Sequence, residues 1–261
     1  MTGHQRALII GCGRLGAGRD HETSFLYDHA SAYQALADRV ELVGFVDRVL
    51  LRAEWAAKQH GVAFAGDHVT AALELLKPDV VSICTPPSDR QEIIAACDAA
   101  PSVRGIWCEK PYGLTYLPKL AVTQVNLIRR FDPRHQEIAK RVNVGGLTPN
   151  RHLFVICKKD IHTTCHFTDL ARWWGVPKAQ FHYLDFHGPA LYVLREEGEI
   201  PGRYAGWRDE AFVGGGLSGS GFMERALGNL LDAMEGTADL LSPAENAIES
   251  ERWATDILAE P

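Results

Sequence analysis

The stretch that decides the fold is LIIGCGRLG, residues Leu8–Gly16, in which an apolar run breaks directly into the pattern G-x-G-x-x-G. Gly11 permits the tight turn that ends a strand, Gly13 lets backbone approach a pyrophosphate, and Gly16 lets the next helix pack closely. Amide groups at the N-terminus of that helix then hold the phosphates. Because the motif directly follows a predicted strand, the context that it requires is present. The stretch therefore predicts a dinucleotide site formed by Gly11, Cys12, Gly13, Arg14, Leu15 and Gly16.

The composition indicates a globular protein, because 46% of the 261 residues are hydrophobic and 23% are charged. A formal net charge of -6 argues against nucleic acid or an anionic membrane as a partner. Apolar runs fall short of the roughly 18–20 residues that span a bilayer. The six cysteines form no C-x-x-C pair, and the N-terminus enters a strand too early to leave room for a signal peptide. We therefore expect a cytoplasmic protein with reduced cysteines and a small-molecule substrate.

Strands and helices alternate in the first half of the sequence. Short β-branched or aromatic runs predict strands at Arg6–Ile10, Glu41–Val46, Asp79–Cys84 and Arg104–Cys108. Apolar residues at three- and four-residue spacing predict helices at Ala30–Asp38, Leu51–His60, Val69–Leu76 and Arg90–Ala99. This alternation is typical of α/β proteins with a parallel, doubly wound sheet, whose ligands bind beyond the carboxyl ends of the strands.

The pattern changes after Pro111 to an α+β arrangement. Strands are predicted at Leu120–Leu127, His152–Lys158, Gln180–Phe186 and Ala190–Arg195, and helices at Thr164–Trp174, Phe222–Glu235 and Ala244–Ala259. We therefore predict a Rossmann domain at residues 1–120 and an α+β domain for substrate binding and oligomerisation at residues 121–261. The apolar face of Phe222–Leu231 is expected to pack on the first domain or on a partner chain.

Several motifs together resemble those of the glucose–fructose oxidoreductase, inositol dehydrogenase and MocA family. They are GCGRLG, GFVD ending at Asp47, ICTPP ending at Pro87, Cys108–Pro111 (CEKP), the segment Asn126–Pro133, His166-x-x-Asp169 and Arg172–Gly175 (RWWG). The resemblance runs through nearly the whole chain. It implies a Rossmann domain followed by an open, mostly antiparallel sheet, a nicotinamide cofactor, a sugar or cyclitol substrate and a homo-oligomer.

The chain also departs from the family pattern. The segments between Glu109 and Arg129 and between Arg130 and His166 are short. His162 stands where the family often has aspartate, and Arg90 stands where its T-P turn usually ends in histidine. The cofactor site is expected to survive these departures, which bear on the substrate and on the sheet-mediated oligomer.

Asp47 ends the second predicted strand, where a carboxylate can accept hydrogen bonds from both ribose hydroxyls and repel a 2′-phosphate. It lies 31 residues after Gly16, more than the roughly 20 of the usual fingerprint. An inserted loop at Arg19–Tyr27 accounts for the excess. The alternative is a solvated loop aspartate. Arg48 is placed to stack on adenine or to tolerate a phosphate, so NAD is favoured and NADP stays open. Thr85, Pro86, Glu109 and Lys110 complete the predicted cofactor site.

Lys110 is the first predicted catalytic residue, since it follows a strand on the cofactor edge of the sheet. An ammonium there can polarise a substrate oxygen. The alternative is a surface lysine that pairs with Glu109.

His162, His166 and Asp169 complete the predicted catalytic set, because their spacing of i, i+4 and i+7 places them on one helical face. The resemblance makes His166 the acid–base residue, because a neutral imidazole takes the carbinol proton while a neighbour orients it. The alternative is a pair of structural histidines. A zinc site made with Cys157 and Cys165 is the weaker interpretation, because Cys165 and His166 are adjacent and point apart, so no metal is predicted.

The sequence thus indicates an NAD(P)-dependent oxidoreductase acting on a CH–OH group. Lys110 and His166 are expected to meet at the nicotinamide. Two alternatives are a glycosidase that uses tightly held NAD and a dinucleotide-binding sensor without catalysis. Arg130 is expected to pair with Asp132 rather than to bind a substrate anion.

Overall fold

The computed structural model describes residues 4–18, 28–113, 115–144, 151–185, 190–198, 206–209 and 221–259. The chain divides into two compact units. Unit 1 is Met1–Ile128 with Ser220–Glu245, and unit 2 is Arg129–Gly219 with Asn246–Pro261. The predicted inserted loop at Arg19–Tyr27 lies outside the described residues.

Within the described ranges the strands have three to eight residues and the α-helices four to sixteen. The strands are β1 (Gln5–Ile10), β2 (Val40–Val46), β3 (Phe64–Gly66), β4 (Val80–Ile83), β5 (Gly105–Cys108), β6 (Val122–Val125), β7 (Arg151–Cys157), β8 (Phe181–Asp185), β9 (Leu191–Gly198) and β10 (Gly206–Asp209). The helices are α1 (Arg14–Ala17), α2 (His29–Ala35), α3 (Leu50–His60), α4 (Val69–Leu76), α5 (Arg90–Ala99), α6 (Pro133–Val144), α7 (Ile161–Trp173), α8 (Phe222–Met234) and α9 (Ala244–Ala259).

Unit 1 contains a six-stranded sheet in the order β3-β2-β1-β4-β5-β6. Every neighbouring pair is parallel. This strand order is that of the doubly wound Rossmann fold, so the predicted fold class is confirmed. β6 follows residue 120 yet pairs with β5, so this sheet extends beyond the predicted domain boundary. The sheet reverses its strand order between β1 and β4, the position at which such folds bind their ligands.

The central strand β1 is buried on both faces. Its residues Ala7–Ile10 are at most 2% exposed, and each large aliphatic side chain among them stabilises the unit by about 1.5–3 kcal/mol. Helix α8 packs closely on β5, because a Cβ at Gly105 would lie 2.3 Å from Sδ of Met234. The apolar face of α8 is therefore covered by its own chain, which is one of the two destinations expected for it.

Unit 2 contains a four-stranded sheet in the order β10-β9-β7-β8. β9 pairs antiparallel with β10 and with β7, whereas β7 and β8 are parallel. The sheet is thus mixed and mostly antiparallel, as expected. Buried and partly exposed residues alternate strictly along β7, so one face of the sheet packs on a core and the other remains open. That core includes Leu153 and Val155 of β7, Phe167 and Leu170 of α7, and Trp253 of α9.

Among the residues that the structure describes, no helix has the length and hydropathy needed to cross a membrane. The six cysteines all lie in the described ranges, and none of them forms a disulfide.

Candidate active site

The turns that follow strands β1, β2, β4, β5 and β6 meet at the carboxyl edge of the parallel sheet. Backbone hydrogen bonds continue across this edge beyond the strands, from Cys84 N to Ile10 O at 2.8 Å and from Glu109 N to Ile83 O at 2.9 Å. The glycine-rich loop, Asp47, Thr85 and Lys110 therefore share one edge within unit 1, as the alternation of strands and helices predicts.

The glycine-rich loop has the shape that a pyrophosphate needs. Gly11 has a φ of +96°, and a Cβ at Gly16 would lie 1.9 Å from Gly11 O, so both positions require glycine. A Cβ at Gly13 would meet no described atom within 4 Å, which leaves open space beside the backbone at this point. The residues present therefore fit a dinucleotide.

The helix after the loop is a single turn of four residues. α1 begins at Arg14, which is exposed, and ends at Ala17, followed by Gly18, whose φ is +68°. Leu15 is half-buried. One helical turn carries little of the macrodipole of a longer helix. A phosphate bound here would therefore depend on the glycine-rich loop more than on the dipole of α1.

Asp47 is buried and tied to the glycine-rich loop. Its Oδ2 accepts a hydrogen bond from Cys12 N at 2.9 Å, and its Oδ1 accepts one from Val49 N at 2.9 Å. Because a carboxylate offers about four lone-pair sites, capacity remains for ribose hydroxyls. Arg48 is exposed, and its Nη1 lies 4.0 Å from Asp89 Oδ2. Burial and the charge of Asp47 raise the pKa of the Cys12 thiol to about 12, so this thiol is neutral.

Thr85 and Pro86 form the turn after β4. The Thr85 hydroxyl oxygen is buried, and within the described part of the chain it has no hydrogen-bond partner. A buried hydroxyl without a partner is unfavourable, so this oxygen fits a polar atom of a bound ligand at the sheet edge.

Glu109 is buried at the end of β5. Its Oε1 accepts a hydrogen bond from Asn126 Nδ2 at 2.6 Å and lies 3.1 Å from His29 Nε2. Its Oε2 accepts a hydrogen bond from Lys110 N at 3.2 Å. Burial alone would raise the pKa of Glu109, but the hydrogen bonds from His29 and Asn126 and the nearby positive charges lower it below its ordinary value. Glu109 is therefore an ionised anchor for the backbone of Lys110, whose own side chain is half-buried.

The anchor continues into the core through residues that sequence reasoning missed. His29 Nδ1 lies 2.9 Å from Ser82 Oγ, which lies 2.8 Å from the Tyr33 hydroxyl. The His29 ring packs on Trp107 with 3.7 Å between ring centroids. These buried polar groups hold the Glu109 carboxylate in place on the side of the core.

Arg90 is a second residue whose role the sequence did not reveal. It is 2% exposed, and its Nε and Nη2 donate to Thr85 O at 2.9 and 2.6 Å. Its Nη1 donates to the carbonyl oxygens of Glu109 and Pro111, and the Lys110–Pro111 peptide is cis. In the sequence, the one signal at Arg90 was that it stands where the family's T-P turn usually ends in histidine.

In unit 2, α7 carries the other predicted catalytic residues. His162 is exposed, His166 is half-buried and Asp169 is buried. Asp160 caps the helix by accepting a hydrogen bond from Thr163 N at 2.7 Å. Thr168 Oγ1 donates to Ser250 O of α9 at 2.8 Å, so both ends of the segment with the two histidines are fixed.

Asp169 forms a bidentate ion pair with Arg130. Arg130 Nε and Nη2 each donate to a separate carboxylate oxygen at 2.8 Å, and Ser250 Oγ adds a longer contact at 3.3 Å. Asp132 instead accepts from Arg134 Nη2 at 2.8 Å. The expectation that Arg130 pairs with Asp132 is thus corrected, because the guanidinium fork matches the buried carboxylate on α7.

The segment around α7 contains two cysteines and two histidines, which are common metal ligands. Within the described ranges, however, no three His, Cys, Asp or Glu side chains converge closely enough to hold a metal ion.

Residues 5–124 match the model of the oxidoreductase family with an NAD-binding Rossmann fold, the family that includes glucose–fructose oxidoreductase, inositol dehydrogenase and MocA. This part of the chain belongs to that family. The match confirms the resemblance found in the motifs, and it confirms NAD as the cofactor of this fold.

Known proteins of the same kind match parts of the chain. The NAD⁺-dependent scyllo-inositol 2-dehydrogenase of Bacillus subtilis is 29% identical over 155 residues, which are 55% of this chain and 42% of that protein. The D-glucoside 3-dehydrogenase of Escherichia coli is 33% identical over 111 residues, which are 42% of this chain and 28% of that protein. The matched regions thus span less than half the length of these relatives.

The fold likeness extends further than the sequence likeness. The structure of myo-inositol 2-dehydrogenase from Lactobacillus plantarum superposes with a TM-score of 0.68, covering 97% of this chain and 95% of that chain at 17% identity. The fold of this chain is therefore similar to that of this structure.

Proposed function

We propose that the chain is an NAD-dependent dehydrogenase that transfers hydride between a secondary hydroxyl of a sugar or cyclitol and nicotinamide. The observation that carries this proposal is the placement of Lys110 on the same sheet edge as the glycine-rich loop and Asp47, with its backbone held by Glu109. Two relatives named as dehydrogenases of an inositol and a glucoside support a polyhydroxylated ring as substrate.

The cofactor contacts are proposed from the geometry of the edge. Gly11, Gly13 and Gly16, with Cys12, Arg14 and Leu15 between them, form the pyrophosphate loop. Asp47 takes the adenosine ribose, and Arg48 is exposed beside it. Thr85, Pro86, Glu109 and Lys110 form the nicotinamide side. The carboxylate at Asp47 favours NAD over NADP, because a 2′-phosphate would be repelled.

The chain's own residues divide the chemistry of the reaction. Bound NAD⁺ supplies the hydride acceptor at C4 of nicotinamide. The Lys110 ammonium donates a hydrogen bond to the substrate oxygen and stabilises negative charge on it as the O–H bond breaks. The neutral imidazole of His166 accepts that proton, and His162, one turn earlier on α7, orients it. Asp169, bound by Arg130, acts by holding α7 in place.

The direct test is the stoichiometric formation of NADH from NAD⁺ with scyllo-inositol, myo-inositol and methyl β-D-glucoside, followed by absorbance at 340 nm. One NADH for each ring oxidised supports the proposal. A glycosidase that recycles its cofactor would release sugar without net NADH, and a sensor would bind NADH without turnover with any of these compounds; either result would contradict it.

Variants test the residue roles on the best substrate from that panel. We expect Lys110→Ala and His166→Ala each to lower kcat by about 10²–10⁴-fold, with NADH affinity nearly unchanged. The double variant is expected to lose little more than either single one, because both residues serve one proton transfer. The matched control Lys58→Ala, on the exposed face of α3, should retain wild-type turnover. Normal turnover in a folded Lys110→Ala protein would remove the central residue.

The cytoplasmic location and the homo-oligomer stay predictions. The open face of the unit 2 sheet exposes Leu184 and Leu191, which favours a partner chain there, since exposed apolar patches mark interaction surfaces. Light scattering that gives a monomer at every concentration would refute the oligomer.

A further inference from the structure

We propose that Arg90 is a positioning residue that aims Lys110 by clamping the turns after β4 and β5 together. This inference rests on the proposed function, in which Lys110 contacts the substrate oxygen. The Arg90 guanidinium donates to Thr85 O on one turn and to Glu109 O and Pro111 O on the other. The two carbonyl oxygens on the second turn belong to the residues immediately before and after Lys110.

The location of Arg90 is unfavourable for a positive charge, so we infer that this arginine does more than stabilise the fold. Arg90 is the first residue of α5, where the helix dipole disfavours a cation. It is also 2% exposed, and a buried guanidinium must have its charge and its donors compensated. The backbone carbonyls of the two turns provide that compensation. The buried charge of Arg90 therefore needs both turns in place, and Arg90 in return holds the two turns together.

The shape of the side chain matters as much as its charge. A guanidinium has five N–H donors in a rigid plane, whereas an ammonium is a point charge and a neutral imidazole has one donor. Three carbonyl oxygens on two turns suit the arginine fork. The histidine that the family resemblance implies at this position would satisfy fewer of them.

Lys110 is thus restrained from both sides. The Glu109 carboxylate accepts from Lys110 N at 3.2 Å, and Arg90 holds the flanking carbonyls. Because the Lys110 backbone is fixed at the sheet edge, the direction of its half-buried side chain is set by these contacts. A misplacement of about 1 Å in a reacting group lowers turnover by roughly 100-fold, which gives the scale of the expected effect.

The test compares Arg90→Gln and Arg90→Lys with Arg104→Gln. Arg104 precedes β5 and pairs with Asp79 at 3.3 Å through a half-exposed side chain, so its variant removes an arginine from the same sheet without touching the carboxyl edge. The measurements are kcat on the best substrate of the polyol panel, the Kd of NADH, the melting temperature, and the rate at which acetic anhydride labels Lys110 with and without NADH, read by peptide mass spectrometry.

We expect Arg90→Gln to lower kcat by about 100-fold, and Arg90→Lys by about 10-fold because one charge–carbonyl contact can remain. NADH affinity should change by less than about threefold, since the glycine-rich loop and Asp47 hold the other half of the dinucleotide. NADH should protect Lys110 from labelling in the wild type and Arg104→Gln, and protect it much less in Arg90→Gln.

Opposite results overturn the inference. Wild-type kcat and NADH protection in folded Arg90→Gln would show that the clamp does not aim Lys110. If Arg90→Gln fails to fold, Arg90→Lys decides by the same two readouts. If the wild-type protein forms no NADH and bound NADH does not protect Lys110, the proposed function itself is contradicted. If the wild type turns over normally and Arg90→Gln behaves like it, only the role of Arg90 is contradicted.

Discussion

The carboxyl edge of the unit 1 sheet and helix α7 of unit 2 both carry candidate catalytic residues, but they are fixed in different ways. At the sheet edge, charged side chains bind backbone: Asp47 binds Cys12 N, Glu109 binds Lys110 N, and Arg90 binds carbonyl oxygens of two turns. On α7, the buried charge is bound by another side chain, in the Asp169–Arg130 pair. The first arrangement shapes loops, whereas the second fixes the position of a whole helix.

This contrast has consequences for how each region responds to change. Loss of a backbone-binding side chain at the sheet edge should alter ligand binding or turnover, because the turns themselves form the site. Loss of the buried ion pair should mainly alter the stability of unit 2, because α7 is docked through it.

The largest effect on stability is expected at the ion pair. Asp169→Ala leaves Arg130 buried without its carboxylate partner, which should lower the free energy of unfolding by about 3–5 kcal/mol. Urea denaturation measures this loss. The matched control Asp256→Ala removes an ion pair with Lys178 in which both side chains are about half exposed, and it should cost at most about 1 kcal/mol. Equal losses in the two variants would contradict the account of α7.

The two units should lose stability at different acidic pH values. Burial lowers the pKa of His135 on α6 to about 4, whereas an unfolded histidine titrates near 6.5. Between those values the unfolded chain binds the extra proton, so stability falls as pH drops from about 6.5 to about 4, by up to about 1.4 kcal/mol per pH unit. The pKa of Glu109 is lowered, so its contribution is present above its ordinary value of about 4.3 and is lost only below it.

Hydrogen exchange checks this order of acid sensitivity. Peptides from β7 and α7 should lose protection between pH 6.5 and 4, while peptides from β4 and β5 keep it until lower pH. His135→Gln should flatten the response of unit 2, whereas His68→Gln, at an exposed position before α4, should leave it unchanged. Simultaneous loss of protection in both units would contradict this order of acid sensitivity.

A smaller effect is expected for cofactor choice at the sheet edge. Asp47→Ala removes charge-assisted hydrogen bonds worth about 1.5–3 kcal/mol, so NADH affinity should fall by roughly 10- to 100-fold. NADPH affinity should fall less, because repulsion of its 2′-phosphate is relieved. Asp38→Ala, exposed near the opposite end of β2, serves as the control. Equal affinity of the wild type for NADH and NADPH would contradict the role given to Asp47.

The fold was largely readable from the sequence because its strands are continuous apolar runs and its helices are strongly periodic. Val69–Leu76 and Arg90–Ala99 were predicted with the bounds that α4 and α5 have. Strand β3 has only three residues and includes Gly66, which left no pattern to detect. β10 has only four residues, and α6 has too few apolar residues in its first two turns to show a periodicity.

The candidate site was readable only where motifs are local. Glycine spacing and strand ends located the loop, Asp47 and Lys110, because each is defined by its immediate neighbours. The roles of His29 and Arg90 depend on partners far along the chain: His29 meets Ser82 and Glu109, and Arg90 meets Pro111. The Arg130–Asp132 prediction was wrong for the same reason, since nearness in sequence favoured a partner that the fold replaced.

The most direct test of the central claim, that the unit 1 sheet edge is the NAD site, is an NADH titration of Gly13→Ala followed by fluorescence. A Cβ at Gly13 meets no described protein atom within 4 Å, so the melting temperature should be unchanged while the methyl group occupies space needed by the pyrophosphate. Gly228→Ala, where a Cβ would meet only Leu36 at 4.0 Å, is the control. We expect at least about a tenfold weaker NADH affinity for Gly13→Ala, or about 1.4 kcal/mol, and wild-type affinity for Gly228→Ala. Wild-type NADH affinity in Gly13→Ala would contradict it.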